Sequence, residues 1–178
     1  MKVLVVVDLQ TDFTFGALGN AECVGVVEKV AKLISEEDYD EVVFTRDTHQ
    51  KNYLETQEGR NLPVVHCIEE TNGWQIREEL MLAVKGKNYI IFDKPTFGSI
   101  TLAEHLRKLY EENNGDVEVE FVGVCTGICV ISNALLTKAF VPEMKITVKA
   151  KYCACVTPES HRTALEAMKL CQIYIEED

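Results

Sequence analysis

Short, nearly unbroken apolar runs alternate along this chain with longer stretches whose apolar positions recur at helical spacing. Residues 2–7, 41–45, 88–92, 117–122, 144–148 and 172–176 read as strands, being brief and rich in β-branched side chains. Residues 21–36, 75–82, 100–112, 127–139 and 158–170 read as helices. Strands separated by helices predict parallel pairing with right-handed crossovers, because a parallel neighbour is reached only through a long connection. Runs as apolar as residues 3–7 predict a sheet covered on both faces, which makes the class α/β, doubly wound. Such sheets bind ligands beyond the carboxyl ends of their strands. That rule gathers Asp8, Asp47, Lys94 and the turn before Cys129 at one rim. The long segment 46–74 has no clear period, and a stretch of that kind inside a compact domain usually has a function.

Composition narrows the partners. A chain of 178 residues predicts one compact domain over 1–178, too short for two of ordinary size. A formal net charge of −11 argues against nucleic acid and anionic membrane surfaces, both of which require clustered Lys and Arg, and leaves small molecules and proteins. The apolar runs are far shorter than the roughly 20 residues of a membrane helix. No basic start followed by a long apolar segment marks a secretory signal, so the chain reads as cytoplasmic. Seven cysteines, odd in number and irregular in spacing, fit reduced thiols with mostly packing roles.

Cys129 lies at a strand-to-helix turn, where unpaired N–H groups at a helix N-terminus favour thiolate over thiol. A cysteine nucleophile also needs a proton acceptor, charge stabilisation and oxyanion donors. Asp8 could take the proton and later activate water, Lys94 could orient that carboxylate, and the backbone N–H groups of Cys125 and Cys129 could receive the oxyanion. Each position has an ordinary role as well: a loop cap for Asp8, a solvated charge for Lys94, a small buried hydrophobe for Cys129. Cys125 is a rival nucleophile.

Asp47, His49 and His66 offer one carboxylate and two imidazoles, a set that could hold zinc, iron or manganese with positions left open. A turn residue beside a surface histidine is the ordinary explanation. Phe13, Trp74 and Phe97 could sandwich a planar ring, or belong to the core. Gln10 and Asp12 could touch substrate or water. His105 and His161 read as solvated helix surface, and Cys153 and Cys155 as structural thiols.

The segment from Val7 to Phe13, then Lys94, then Gly123 to Val130, in this order, resembles the isochorismatase-like cysteine hydrolases, and among them the nicotinamidases. The resemblance spans most of the chain. It implies a six-stranded parallel sheet, an Asp8–Lys94–Cys129 triad with Cys129 rather than Cys125 as nucleophile, and a cis peptide at Val124–Cys125. It also implies a divalent metal held by Asp47, His49 and His66. Between those histidines the commoner third histidine is missing, which makes Glu58 the substitute and Glu55 the second choice. The activity implied is deamidation of a small planar carboxamide such as nicotinamide through a thioester, with the metal on the ring nitrogen. A homo-oligomer is left open. The alternatives are isochorismatase-type or carbamoyl/ureido hydrolysis without metal and, in a different class, a thiol redox sensor or metal-binding protein built on Cys125 and Cys129.

Overall fold

The computed structural model describes residues 1–177. Six strands, β1 (Lys2–Val7), β2 (Glu41–Asp47), β3 (Tyr89–Lys94), β4 (Glu118–Val124), β5 (Lys145–Ala154) and β6 (Tyr174–Glu176), form one sheet in the order β3-β2-β1-β4-β5-β6. Every pairing is parallel. Between them run the helices α1 (Thr11–Thr14), α2 (Ala21–Glu36), α3 (Gln57–Asn61), α4 (Glu78–Ala83), α5 (Ile100–Glu112), α6 (Ile131–Phe140) and α7 (Pro158–Leu170).

Alternation along β1 shows why both faces are covered. Val3, Val5 and Val7 pack with Leu102 and Leu106 of α5, Ala134 of α6 and Leu165 and Met168 of α7. Leu4 and Val6 face the other way, against Val26, Val27 and Val30 of α2 and Leu80 of α4. An unbroken apolar run is therefore the signature of a strand with two cores to fill. Among the described residues, no helix is long and apolar enough to cross a membrane.

Strand order reverses at β1. The chain steps from β1 outward to β2 and β3, then returns to lay β4 on the other side of β1. The crevice at this reversal, beyond the carboxyl ends of β1 and β4, is where open α/β sheets bind ligands. It is flanked by the residues just after β1 and β4, namely Asp8 and the Cys125–Cys129 turn.

Several element boundaries differ from the sequence reading. The expected helix 127–139 opens as a wide π-type turn, Thr126–Val130, before α6 begins. Val130 N donates to Cys125 O, five residues back, at 3.1 Å. The strand expected over 144–148 runs on to Ala154, with its register against β4 shifting between Phe121 and Gly123. Gly123 has φ +117°, and a Cβ there would collide with the Val7 carbonyl of the neighbouring strand. A side chain is excluded at the point where β1 and β4 deliver their ends to the crevice. Segment 46–74 contains a 3-10 turn, Tyr53–Glu55, and α3, whose N-cap Thr56 accepts from Gly59 N.

Candidate active site

The end of β1 places Asp8 in full burial, with φ 48°, and Thr45 Oγ1 of β2 donates to its Oδ1 at 2.6 Å. Lys94 ends β3, in register with Asp47 at the end of β2, and is also buried. Its ammonium reaches across β2 to Asp8 Oδ2 at 2.6 Å, and stands 3.6 Å from Cys129 Sγ and 3.5 Å from Asp47 Oδ1. Three strand ends thus bring an acid, an amine and a thiol into one contact set.

The electrostatics differ from the reading of the turn alone. Burial, then the Asp8 charge, push the Cys129 thiol well above its usual range, although Lys94 opposes them. Burial therefore favours the thiol, against the thiolate expected from the turn. Burial also raises Asp8, with Lys94 opposing. Burial alone would depress Lys94, but the charge and hydrogen bond of Asp8 and the charge of Asp47 lift it instead.

Next to this set, one ligand atom from each of Asp47, His49, Glu58 and His66 lies within 4.8 Å of all the others. His66 Nδ1 donates to Val64 O at 2.7 Å, since a carbonyl can only accept, and this leaves Nε2 facing Asp47 Oδ2 at 3.5 Å. His49 Nε2 lies 2.9 Å from Asp47 Oδ2 and 3.5 Å from Glu58 Oε1. Asp47 Oδ1 and His49 Nε2 are buried without a hydrogen-bond partner. Two carboxylates, two imidazoles and orphaned polar atoms facing a common point fit a divalent cation. Glu58 belongs to the group, whereas Glu55 is exposed. Burial works against the Asp47 carboxylate, yet the neighbouring His49 and His66 rings and the Lys94 charge hold it far below the usual range.

A cavity of about 420 Å³ joins the two groups: Cys129, Asp47, Glu58 and His66 reach its wall, with Phe13, Phe97, Leu18, Leu62, Ile128 and Val156 supplying apolar surface. Phe13 and Phe97 both line it. Trp74 does not line this cavity. Its indole donates to Thr48 Oγ1 at 2.8 Å and its ring is covered by the Arg46 guanidinium at 3.6 Å. Arg46 is itself tied to Asp93, so Trp74 serves the outer loop instead of the pocket.

Several supporting residues were not foreseen. Gln10 is fully buried and clamps the end of β2: its amide donates to Asp47 O at 2.8 Å and Trp74 O at 2.9 Å, and accepts from Asp47 N at 2.7 Å. Asp12 receives Cys67 N at 2.8 Å and so braces the loop carrying His66. Asn133 donates to Cys129 O and Phe97 O and accepts from Ser99 N, which ties the thiol's turn to the loop before α5. His161 is partly buried beside Thr126 Oγ1 at 2.8 Å and His105 beside Glu41 at 2.7 Å, so neither is simple solvated surface. The Val124–Cys125 peptide is cis. Cys155 and Cys23 are the neighbours that push the Cys125 thiol up.

A doubly wound sheet with this cluster at its point of reversal defines the class, and the isochorismatase domain model matches residues 2–176. The chain belongs to the isochorismatase domain family. It is similar to the nicotinamidase of Saccharomyces cerevisiae, 28% identical over 76% of this chain and 80% of that protein. Among solved structures it is similar to the pyrazinamidase of Pyrococcus horikoshii in complex with zinc, at 28% identity, 99% of each chain covered and a TM-score of 0.75. The nicotinamidase/pyrazinamidase of Bacillus subtilis shares 26% identity over 99% of each chain, with a TM-score of 0.79.

Proposed function

We propose that the protein is a cysteine amidohydrolase that converts a small planar carboxamide of the nicotinamide type to its acid and ammonia. The observation that carries this reading is that one apolar-walled cavity is bordered both by the thiol of Cys129 and by the donors Asp47, Glu58 and His66. Similarity to nicotinamidases and pyrazinamidases supports the substrate class.

In this reading Cys129 Sγ attacks the amide carbon as its proton passes to Asp8, whose raised pKa suits a base that must hold a proton briefly. Lys94 remains charged and offsets the carboxylate and the developing sulfur anion. The N–H groups of Cys125 and Cys129 receive the oxyanion. When the C–N bond breaks, Asp8 returns the proton to the leaving nitrogen, and ammonia departs from a thioester. Water then loses a proton to Asp8 and attacks the thioester carbon; the C–S bond breaks, the acid leaves and Cys129 regains its proton. Phe13 and Phe97 hold the ring within the apolar walls. Asp47, His49, Glu58 and His66 would hold a divalent ion, zinc first and iron or manganese next, supplying a Lewis acid for a ring nitrogen.

Ammonia release from nicotinamide or pyrazinamide by metal-loaded protein tests the assignment. Cys129→Ala should lower kcat/KM by at least about a thousandfold, with zinc still bound at unchanged stoichiometry. Zinc-loaded protein that releases no ammonia from either amide overturns the substrate class, and full activity in Cys129→Ala overturns the nucleophile.

A further inference from the structure

We propose that Cys155 and Cys125 form a hydroperoxide-reactive thiol pair, a modification site distinct from Cys129, in which Cys155 is oxidised first and Cys125 closes a reversible disulfide. The pair comes from neighbouring strands. Val124 and Ala154 are register partners at the ends of β4 and β5, and Cys125 and Cys155 directly follow them, just beyond the ladder. Register partners on parallel strands lie about 4.8 Å apart, so the residues that follow Val124 and Ala154 start from neighbouring points of the same sheet edge. Cys155 and Cys23, the latter in the first turn of α2, are the neighbours that push the Cys125 thiol up.

Cys155 has the features of the attacking member. Gly127 N donates to its sulfur at 3.4 Å. The Cys125 thiol, then Ser160 and the backbone donors, lower its pKa against the opposing effect of burial, which favours the reactive thiolate form. It is buried from bulk water but borders a cavity of about 260 Å³ between α2 and the end of β5, wide enough for a peroxide molecule. Cys129 is the opposite case, since its thiol is held protonated.

The chemistry balances with a hydroperoxide as oxidant. Cys155 sulfur attacks one peroxide oxygen, the O–O bond breaks, and the departing hydroxide takes up a proton to leave as water, giving a sulfenic acid. Cys125 sulfur then displaces the hydroxyl group, which leaves as water with the Cys125 proton, as the S–S bond forms. Two thiols lose two electrons and two protons, and hydrogen peroxide becomes two waters. The bond would fasten Cys125 at the foot of the turn that carries Cys129. Loss of activity through a displaced Cys125 N–H rests on the amidase reading above; the disulfide itself does not.

The test is limited oxidation of the reduced full chain by hydrogen peroxide, followed by alkylation and tandem mass spectrometry. Two fewer alkylated thiols, a Cys125–Cys155 crosslink and its reversal by a thiol reductant are expected. Ammonia release should fall about a hundredfold, the cost of losing one oxyanion donor, and recover on reduction. Cys155→Ala should form no crosslink and keep its activity through the same exposure, while Cys23→Ala should form the crosslink as the parent does. A principal disulfide of Cys125 with Cys129 or Cys23, or Cys155 still reduced when Cys129 is oxidised, overturns the proposal. Should Cys155→Ala fail to fold, the parent map and Cys23→Ala still decide it. A crosslink in protein that deamidates nothing would instead count against the amidase reading alone.

Discussion

Gln10 illustrates how much of the site is carried by a residue that touches neither the thiol nor the cavity. Its side chain satisfies both backbone groups of Asp47, so the carboxylate is presented from a fixed strand end. Replacing it with Leu would leave a buried N–H and C=O without partners, at about 1–3 kcal/mol for each group left unpaired. We expect Gln10→Leu to weaken zinc binding roughly ten- to a hundredfold, read by competition with a chromophoric chelator, and to lose less activity once zinc is saturating. Unchanged zinc affinity would show that Asp47 is held by other means. At the same scale, Cys129 and Asp8 share one physical condition: both are buried, and both titrate upward because of it. In the reaction proposed above, proton transfer between them at the moment of attack would take the place of a standing thiolate.

Among the elements, the close approach of β1 and β4 matters most. Gly123 allows the strands to pass with Val7 O against the space a Cβ would fill. Gly123→Ala adds that clash to a positive φ, and we expect a loss of roughly 3 kcal/mol or more, measured as a lower urea midpoint at unchanged m-value. A neutral result would mean that the β1–β4 spacing can relax without cost. The turn Thr126–Val130 is a second device at this scale. Its wide hydrogen bond to Cys125 O and the Asn133 tie to Cys129 O set where the thiol stands before α6 begins its regular course. The strand end at Cys155 joins the same construction from β5 through Gly127 N.

Over the whole molecule, the two cores on opposite faces of the sheet contain none of the four candidate ligands, so folding and ion binding are separable. The chain should fold without metal and gain stability with it. At about a hundred times Kd the gain is roughly 2.7 kcal/mol, which for a domain of this size raises Tm by about 5–10 °C. Scanning calorimetry of chelator-treated and zinc-supplemented protein checks this, and equal Tm values would argue against a site on Asp47, His49, Glu58 and His66. Protein that unfolds on chelation would show instead that the loop between β2 and α4 depends on the ion for the fold as a whole.

The sequence by itself determined the alternation of strands and helices, the parallel doubly wound class, and which strand ends carry an acid, an amine and a thiol. Periodicity and β-branching are local properties, so they can be read from neighbouring residues. The boundaries of β5 and of the π-type turn were not legible, because register shifts and hydrogen-bond widths answer to the partner strand. Contacts between distant segments were beyond its reach as well: Trp74 under Arg46, Gln10 on Asp47, Glu58 rather than Glu55 beside His49, and Cys125 beside Cys23 and Cys155. Burial set the protonation of Cys129 against the local expectation from its turn. Tertiary structure decided these points because each depends on which segments the order β3-β2-β1-β4-β5-β6 makes neighbours and on how completely it removes them from water.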